Sequence, residues 1–215
     1  MLRAVFFDLD GVLCNISQFH YLSWKSIAQK FKFDLSLKKN EKLKGLNRKE
    51  SLNKILSWAD VQLAEARKEE LIKEKNNHYL RLIDSMAPED LHNGALMLFQ
   101  NLRENSVKIG LGASTNHAIR VLDKLDCITE FDAIVDGNMV SNPKPHGEVY
   151  ELLLQKLQLT ANECIVIEDS LKGIESSRRA KIQCIVVGDI RSENSKTNVH
   201  SLEELNFKTI SKLLS

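Results

Sequence analysis

The stretch Ala4-Val5-Phe6-Phe7-Asp8-Leu9-Asp10-Gly11 constrains this chain more than any other. Its first four residues are apolar and β-favouring with no polar interruption, as expected for a strand buried on both faces. Such strands build parallel sheets covered by helices, where ligands bind at the carboxyl ends of the strands. Asp8 and Asp10 stand at such an end, and Gly11 lets the chain turn away sharply. Two carboxylates this close repel, and the usual remedy is a hard, oxygen-seeking cation, most often magnesium. Read without its surroundings, the same stretch is equally well a strand followed by an ordinary Asp-Gly turn.

Residues 16–87 carry helical character and no convincing strand. His20, Trp24, Ile27, Ala28 and Phe31 recur at helical spacing, and 48–59 and 64–83 read as two more helices rich in Lys, Glu and Leu. Pro88 ends this block. Beyond it helix and strand alternate: helices are predicted at 95–105, 117–125, 147–157 and 171–180, each followed by a strand, at 107–112, 133–135, 164–167 and 183–187. This predicts an α/β fold, a Rossmann-like parallel-sheet core of residues 1–15 and 88–215 with a helical domain, 16–87, inserted after the first strand. The tail from Arg191 is polar, with a weak helix predicted over 208–214.

A chain of 215 residues suffices for one core and a smaller inserted domain. Its 30 basic and 29 acidic residues leave a net charge of +1, which favours neither nucleic acid nor an acidic membrane surface as partner. No apolar run is long enough to span a bilayer, and the N-terminus lacks the pattern of a secretory signal. Cys14, Cys127, Cys164 and Cys184 are scattered with no Cys-x-x-Cys pair, so the expected setting is reducing and cytoplasmic. Cys14 lies near the acidic motif and is read as packing. A monomer is the default expectation.

The motif Asp8-x-Asp10-Gly11-Val12, placed directly after an apolar strand, resembles the nucleophile motif of the haloacid dehalogenase superfamily. Lys144-Pro145 and Glu168-Asp169-Ser170 with Gly173-Ile174 follow in the matching order and spacing. Three further stretches narrow the resemblance to the β-phosphoglucomutase family: His20 with Trp24-Lys25; Leu43-Lys44-Gly45 with Arg48 and Ser51-Leu52; and Phe131-Asp132-Ala133-Ile134. The match runs over about residues 1–188. It implies that residues 16–87 are the cap domain of a haloacid dehalogenase-like core. It also implies one magnesium ion per chain and a small sugar phosphate as partner, with glucose 1,6-bisphosphate as activator if the enzyme is a mutase.

Roles carried over by the resemblance fall on particular residues. Asp8 is the nucleophile that forms an aspartyl phosphate. Asp10 is general acid and base through its side chain and a metal ligand through its backbone carbonyl. Lys144 balances charge on the phosphoryl group and on Asp8. Asp8, Asp10, Glu168 and Asp169 form the metal set, with Asp169 a direct ligand and Glu168 direct or through water. Arg48 grips the phosphate that does not react, as a forked guanidinium can. Lys44 and Gly45 contact the sugar, and His20 orients the acid/base. Trp24, Ser51 and Lys75 match family positions but serve packing or solvation equally well.

The loop Gly112-Ala113-Ser114-Thr115-Asn116-His117 departs from the pattern. Ala113 stands where the superfamily has a phosphate-binding Ser or Thr, which leaves Ser114, with Thr115 and Asn116, as the candidate phosphate contacts. Asn116-His117 replaces the family's Lys-Asn, Asn15-Ile16 an Asp and a Thr or Ser, and Lys181 a frequent Gly. The expected activity is the interconversion of β-glucose 1-phosphate and glucose 6-phosphate through the bisphosphate. A sugar-phosphate phosphatase is the alternative, and a silent binding protein of the same fold a distant third.

Overall fold

The structure is a computed structural model that describes residues 1–43, 46–190 and 197–214. The chain divides into two compact units, Met1–Asn15 with Met86–Ser215, and Ile16–Ser85.

The larger unit is built on a six-stranded sheet. Its strands are β1 (Ala4–Phe7), β2 (Lys108–Gly112), β3 (Ala133–Val135), β4 (Cys164–Glu168), β5 (Gln183–Val187) and β6 (Thr197–Val199). They lie in the order β3-β2-β1-β4-β5-β6, and every pairing is parallel. All four residues of β1 are buried, because β1 is central and covered on both faces. Its neighbours are in register, with Phe7 opposite Leu111 of β2 and Ile167 of β4. The order runs outward from β1 in both directions, so β1 and β4 flank the point where it reverses. In open α/β sheets that point is where ligands bind.

Alternate β1 side chains serve opposite faces. Phe6 packs with Val149, Tyr150 and Leu153, which come from one helix of the larger unit. Phe7 meets Phe99 edge-on at 5.2 Å, and Phe99 meets Phe131 at 5.4 Å.

Among the described residues the smaller unit has the helices α1 (Ser17–Gln29), α2 (Leu37–Glu41), α3 (Arg48–Trp58) and α4 (Glu65–Asp84). Trp24, Ile27, Leu35, Leu52, Ile55 and Leu71 form its core. A capping box starts α3: Glu50 N donates to Asn47 Oδ1 and Asn47 N to Glu50 Oε2, both at 2.9 Å. The larger unit continues with α5 (Ala95–Glu104), α6 (Ala118–Lys124), α7 (Glu148–Leu157), α8 (Leu171–Arg179) and α9 (Phe207–Ser211). Among the described residues no helix is long and apolar enough to cross a membrane.

The helix that the sequence predicts over 208–214 is present: α9 starts at Phe207 and gives way to a 3-10 turn over Lys212–Leu214. The strand Thr197–Val199, which pairs with β5, is an addition to the sequence reading. Unlike the equally short but wholly apolar Ala133–Val135, Thr197-Asn198-Val199 is polar at two of its three positions, and the ladder to Ile185–Val187 is what makes it a strand.

Candidate active site

Asp8 directly follows β1, and Glu168 ends β4. Asp8 N donates to Ile167 O at 3.0 Å, so the ladder carries both carboxylates to one edge. Gly11 is dictated twice over. Its φ is +91°, and a Cβ there would lie 1.8 Å from Asp169 Oδ2. The loop it belongs to closes tightly, with Gly11 N donating to Cys14 O at 2.7 Å and Cys14 N to Leu9 O at 3.1 Å. Asp10, half-buried, lies within that loop. Cys14 is fully buried beneath it, in keeping with a packing role.

Lys144 holds the centre. Its ammonium donates to Asp8 Oδ1 (2.6 Å), Glu168 Oε1 (2.5 Å), Gly112 O (2.9 Å) and Tyr150 Oη (3.0 Å). Glu168 is engaged at both oxygens. Oε1 accepts from Lys144 and from the Tyr150 hydroxyl at 2.7 Å, and Oε2 accepts from Asp169 N and Ser170 Oγ, each at 3.1 Å. Ser170 is also the N-cap of α8, accepting from Gly173 N at 3.0 Å. A Cβ on Gly173 would fall 1.8 Å from Glu168 Cδ, so glycine is needed there to seat the carboxylate.

Two buried carboxylates, Asp8 and Glu168, share one ammonium, and the half-buried Asp169 adds a third negative charge beside them. Burial pushes Asp8 up to about 8; Lys144 pulls against that, and Glu168 and Asp169 add to it. Burial, then Glu168 and Asp10, raise Asp169 to about 6. Burial works against the Lys144 ammonium, but Asp8 and Glu168 outweigh it and hold the proton in place. Burial, with Glu168 and Asp8, keeps the Tyr150 hydroxyl neutral.

The residues fit a hard divalent cation. Carboxylate oxygens of Asp8, Glu168 and Asp169 lie within 4.8 Å of one another, and the donors are all oxygen. A dication there would relieve the repulsion among them.

The loop after β2 begins one residue past the Gly112 carbonyl that accepts from Lys144. Ala113 is buried and brings no hydroxyl, while Ser114 and Asn116 are exposed and Thr115 is half-buried. Gly137 N donates to Thr115 O at 3.0 Å and Asn138 Nδ2 to Asn116 O at 2.9 Å, which fixes the backbone of this loop.

In the smaller unit Lys75 is 2% exposed. Its ammonium lies 2.8 Å from His20 Nδ1 and over the rings of Tyr79 (4.8 Å) and Trp24 (5.3 Å). The His20 ring stacks on Tyr79 at 4.1 Å. Burial, reinforced by Arg48, draws Lys75 down to about 7. So the fold gathers His20, Trp24 and Lys75. Ser51 is buried beside the core residue Leu52, and Arg48 is exposed in the first turn of α3. Lys44 and Gly45 lie outside the described residues.

Sequence reasoning missed Tyr150. In Val149-Tyr150-x-x-Leu153 it reads as one more member of the apolar face of α7. The available signal was that a buried tyrosine hydroxyl needs a partner, but the partners are not local.

Comparison with known proteins places this geometry. The haloacid dehalogenase-like hydrolase family model matches residues 5–187. The β-phosphoglucomutase of Bacillus subtilis (strain 168) is 36% identical over 189 residues, covering 87% of this chain and 84% of that protein. A phosphorylated carbohydrates phosphatase of Thermotoga maritima is 26% identical over 187 residues, covering 86% and 84%. A crystal structure of β-phosphoglucomutase from Clostridium difficile matches with a TM-score of 0.85 at 34% identity, covering 100% of this chain and 97% of that one.

Proposed function

The chain belongs to the haloacid dehalogenase-like hydrolase family, and from that premise we propose that it is a β-phosphoglucomutase. On this reading it interconverts β-glucose 1-phosphate and glucose 6-phosphate through the 1,6-bisphosphate, as a cytoplasmic monomer. The observation that carries the reaction class is the buried cluster of Asp8, Lys144, Glu168 and Asp169 at the carboxyl ends of β1 and β4. The 36% identity to the Bacillus subtilis β-phosphoglucomutase supports the narrower activity.

Asp8 attacks phosphorus. Its carboxylate forms the new P–O bond, the bond to the departing sugar oxygen breaks, and Asp10 gives that oxygen a proton. In the other half-reaction the free hydroxyl of a sugar monophosphate attacks the aspartyl phosphate, Asp10 takes its proton and the P–O bond to Asp8 breaks; the bisphosphate so formed is the species that turns over. Lys144 offsets charge on the transferring oxygens from its position against Asp8. Asp8, Asp169, the Asp10 carbonyl and Glu168 would hold magnesium, which supplies neutralisation of the phosphoryl charge when bound. Arg48 takes the phosphate that is not reacting, and Lys44, Gly45, His20, Ser114, Thr115 and Asn116 complete substrate binding.

A second reading, a sugar-phosphate phosphatase, is favoured by Ala113, which brings no hydroxyl to the phosphate loop. One assay separates the two. With magnesium, β-glucose 1-phosphate and catalytic glucose 1,6-bisphosphate, the mutase yields glucose 6-phosphate without matching free phosphate. Free phosphate without isomerisation would replace the mutase reading with the phosphatase. Arg48→Ala is expected to abolish transfer from the bisphosphate while sparing hydrolysis of a simple phosphate.

A further inference from the structure

We infer that Tyr150 is a positioning residue for phosphoryl transfer, its hydroxyl fixing how Lys144 is shared between Asp8 and Glu168. This rests on the reading of Asp8 as nucleophile given above. The hydroxyl is fully buried and occupied in both of its capacities, accepting from Lys144 Nζ at 3.0 Å and donating to Glu168 Oε1 at 2.7 Å. Lys144 Nζ also lies 4.9 Å from the centre of the Tyr150 ring. A Cβ on Gly112 would come within 2.8 Å of that ring, so the bare glycine lets the aromatic close against the strand whose carbonyl also accepts from Lys144.

The protons of the Lys144 ammonium fall one short of its acceptors. An ammonium has three, and here it faces four acceptors: Asp8, Glu168, Gly112 O and Tyr150 Oη. The tyrosine accepts from Lys144 and answers part of the Glu168 charge with its own proton. Without the hydroxyl, three protons face three acceptors, two of them carboxylates. The ammonium then settles into Asp8 and Glu168, and less of its charge reaches the incoming phosphoryl oxygens. Substrate binding does not depend on this sharing. The chemical step does.

Tyr150→Phe keeps the ring and removes the hydroxyl. A ring that only packs predicts a variant indistinguishable from wild type. The inference predicts a melting temperature close to wild type, KM for the sugar phosphate within about twofold, and a kcat lowered about tenfold. The single-turnover rate of Asp8 phosphorylation should fall in parallel. If kcat and that rate both stay within twofold of wild type, the inference is overturned. A variant that fails to fold would assign the hydroxyl to stability and overturn it as well. Asp8→Asn run alongside keeps the two ideas apart. Wild-type turnover in Asp8→Asn would sink the proposed function itself. Lost turnover there, with normal turnover in Tyr150→Phe, sinks only the role of Tyr150.

Discussion

Lys144 Nζ lies 2.6 Å from Asp8 Oδ1, with only 5% and 9% of the two side chains exposed, across 136 positions of sequence. A buried pair of this kind is weak evidence for net stability, because both partners lost their water to form it. Breaking it is another matter. Lys144→Met leaves Asp8 and Glu168 buried with no counter-charge, and should destabilise the protein by about 3–5 kcal/mol. It should also lower kcat by roughly 10²–10³-fold, the usual loss for a preorganised charge at the reacting group. Lys144→Arg should not rescue activity, since four acceptors surround a single nitrogen. Urea denaturation and steady-state kinetics on both variants check this.

Gly173→Ala tests how tightly Glu168 is seated. The added methyl would sit 1.8 Å from Glu168 Cδ, and the carboxylate would have to leave its four donors to make room. A cost of about 1–3 kcal/mol is expected from overpacking. Magnesium affinity, measured by calorimetry on the resting protein, should fall with it. Unchanged stability and unchanged affinity together would mean that the helix start yields more easily than its packing implies.

Stability should rise with pH through the range where Lys75 is neutral in the folded protein. Burial and Arg48 draw its pKa from the ordinary 10.5 down to about 7. Between those values the unfolded chain binds a proton that the folded chain does not, so raising the pH favours folding. Below about 7 both states carry the proton and the cost is constant. Lys75→Met should flatten the rise between pH 7 and the ordinary lysine pKa. Unfolding midpoints of both proteins across this range decide the point, and parallel curves would contradict it.

The thiols should be inert. Cys14, Cys127, Cys164 and Cys184 are all buried and unpaired with one another. Burial raises every one of them, to about 12 for Cys127, Cys164 and Cys184 and higher still for Cys14. A thiol reagent should therefore label the native protein only as fast as it opens, and all four sites at once in denaturant. Rapid labelling of one thiol in the native state would contradict this.

Much of this protein is written in local runs of residues. The Ala4–Phe7 strand, its ending in Asp8, and the apolar run into Glu168-Asp169 follow from side chains within a few positions of one another. The same holds for the alternation of helix and strand from Ala95 to Val187. Hydrophobic period and strand-end position are short-range signals, and the parallel sheet follows from them by general rules of chain connection. Thr197–Val199, polar at two of its three positions, carries no such signal, and only its neighbour β5 makes it a strand.

The site is different. Asp8, Lys144, Glu168 and Asp169 can be singled out by motif, but their meeting depends on strands and loops far apart in the chain. No local pattern says that Lys144 splits its protons among Asp8, Glu168, Gly112 and Tyr150. None says that a tyrosine on an apolar helix face turns its one polar atom to Glu168, or that Lys75 buries itself against His20. Those facts are set by which donors and acceptors remain to be satisfied once the core has closed. Burial removes water as a partner and leaves each polar group only what the tertiary structure brings within about 3 Å.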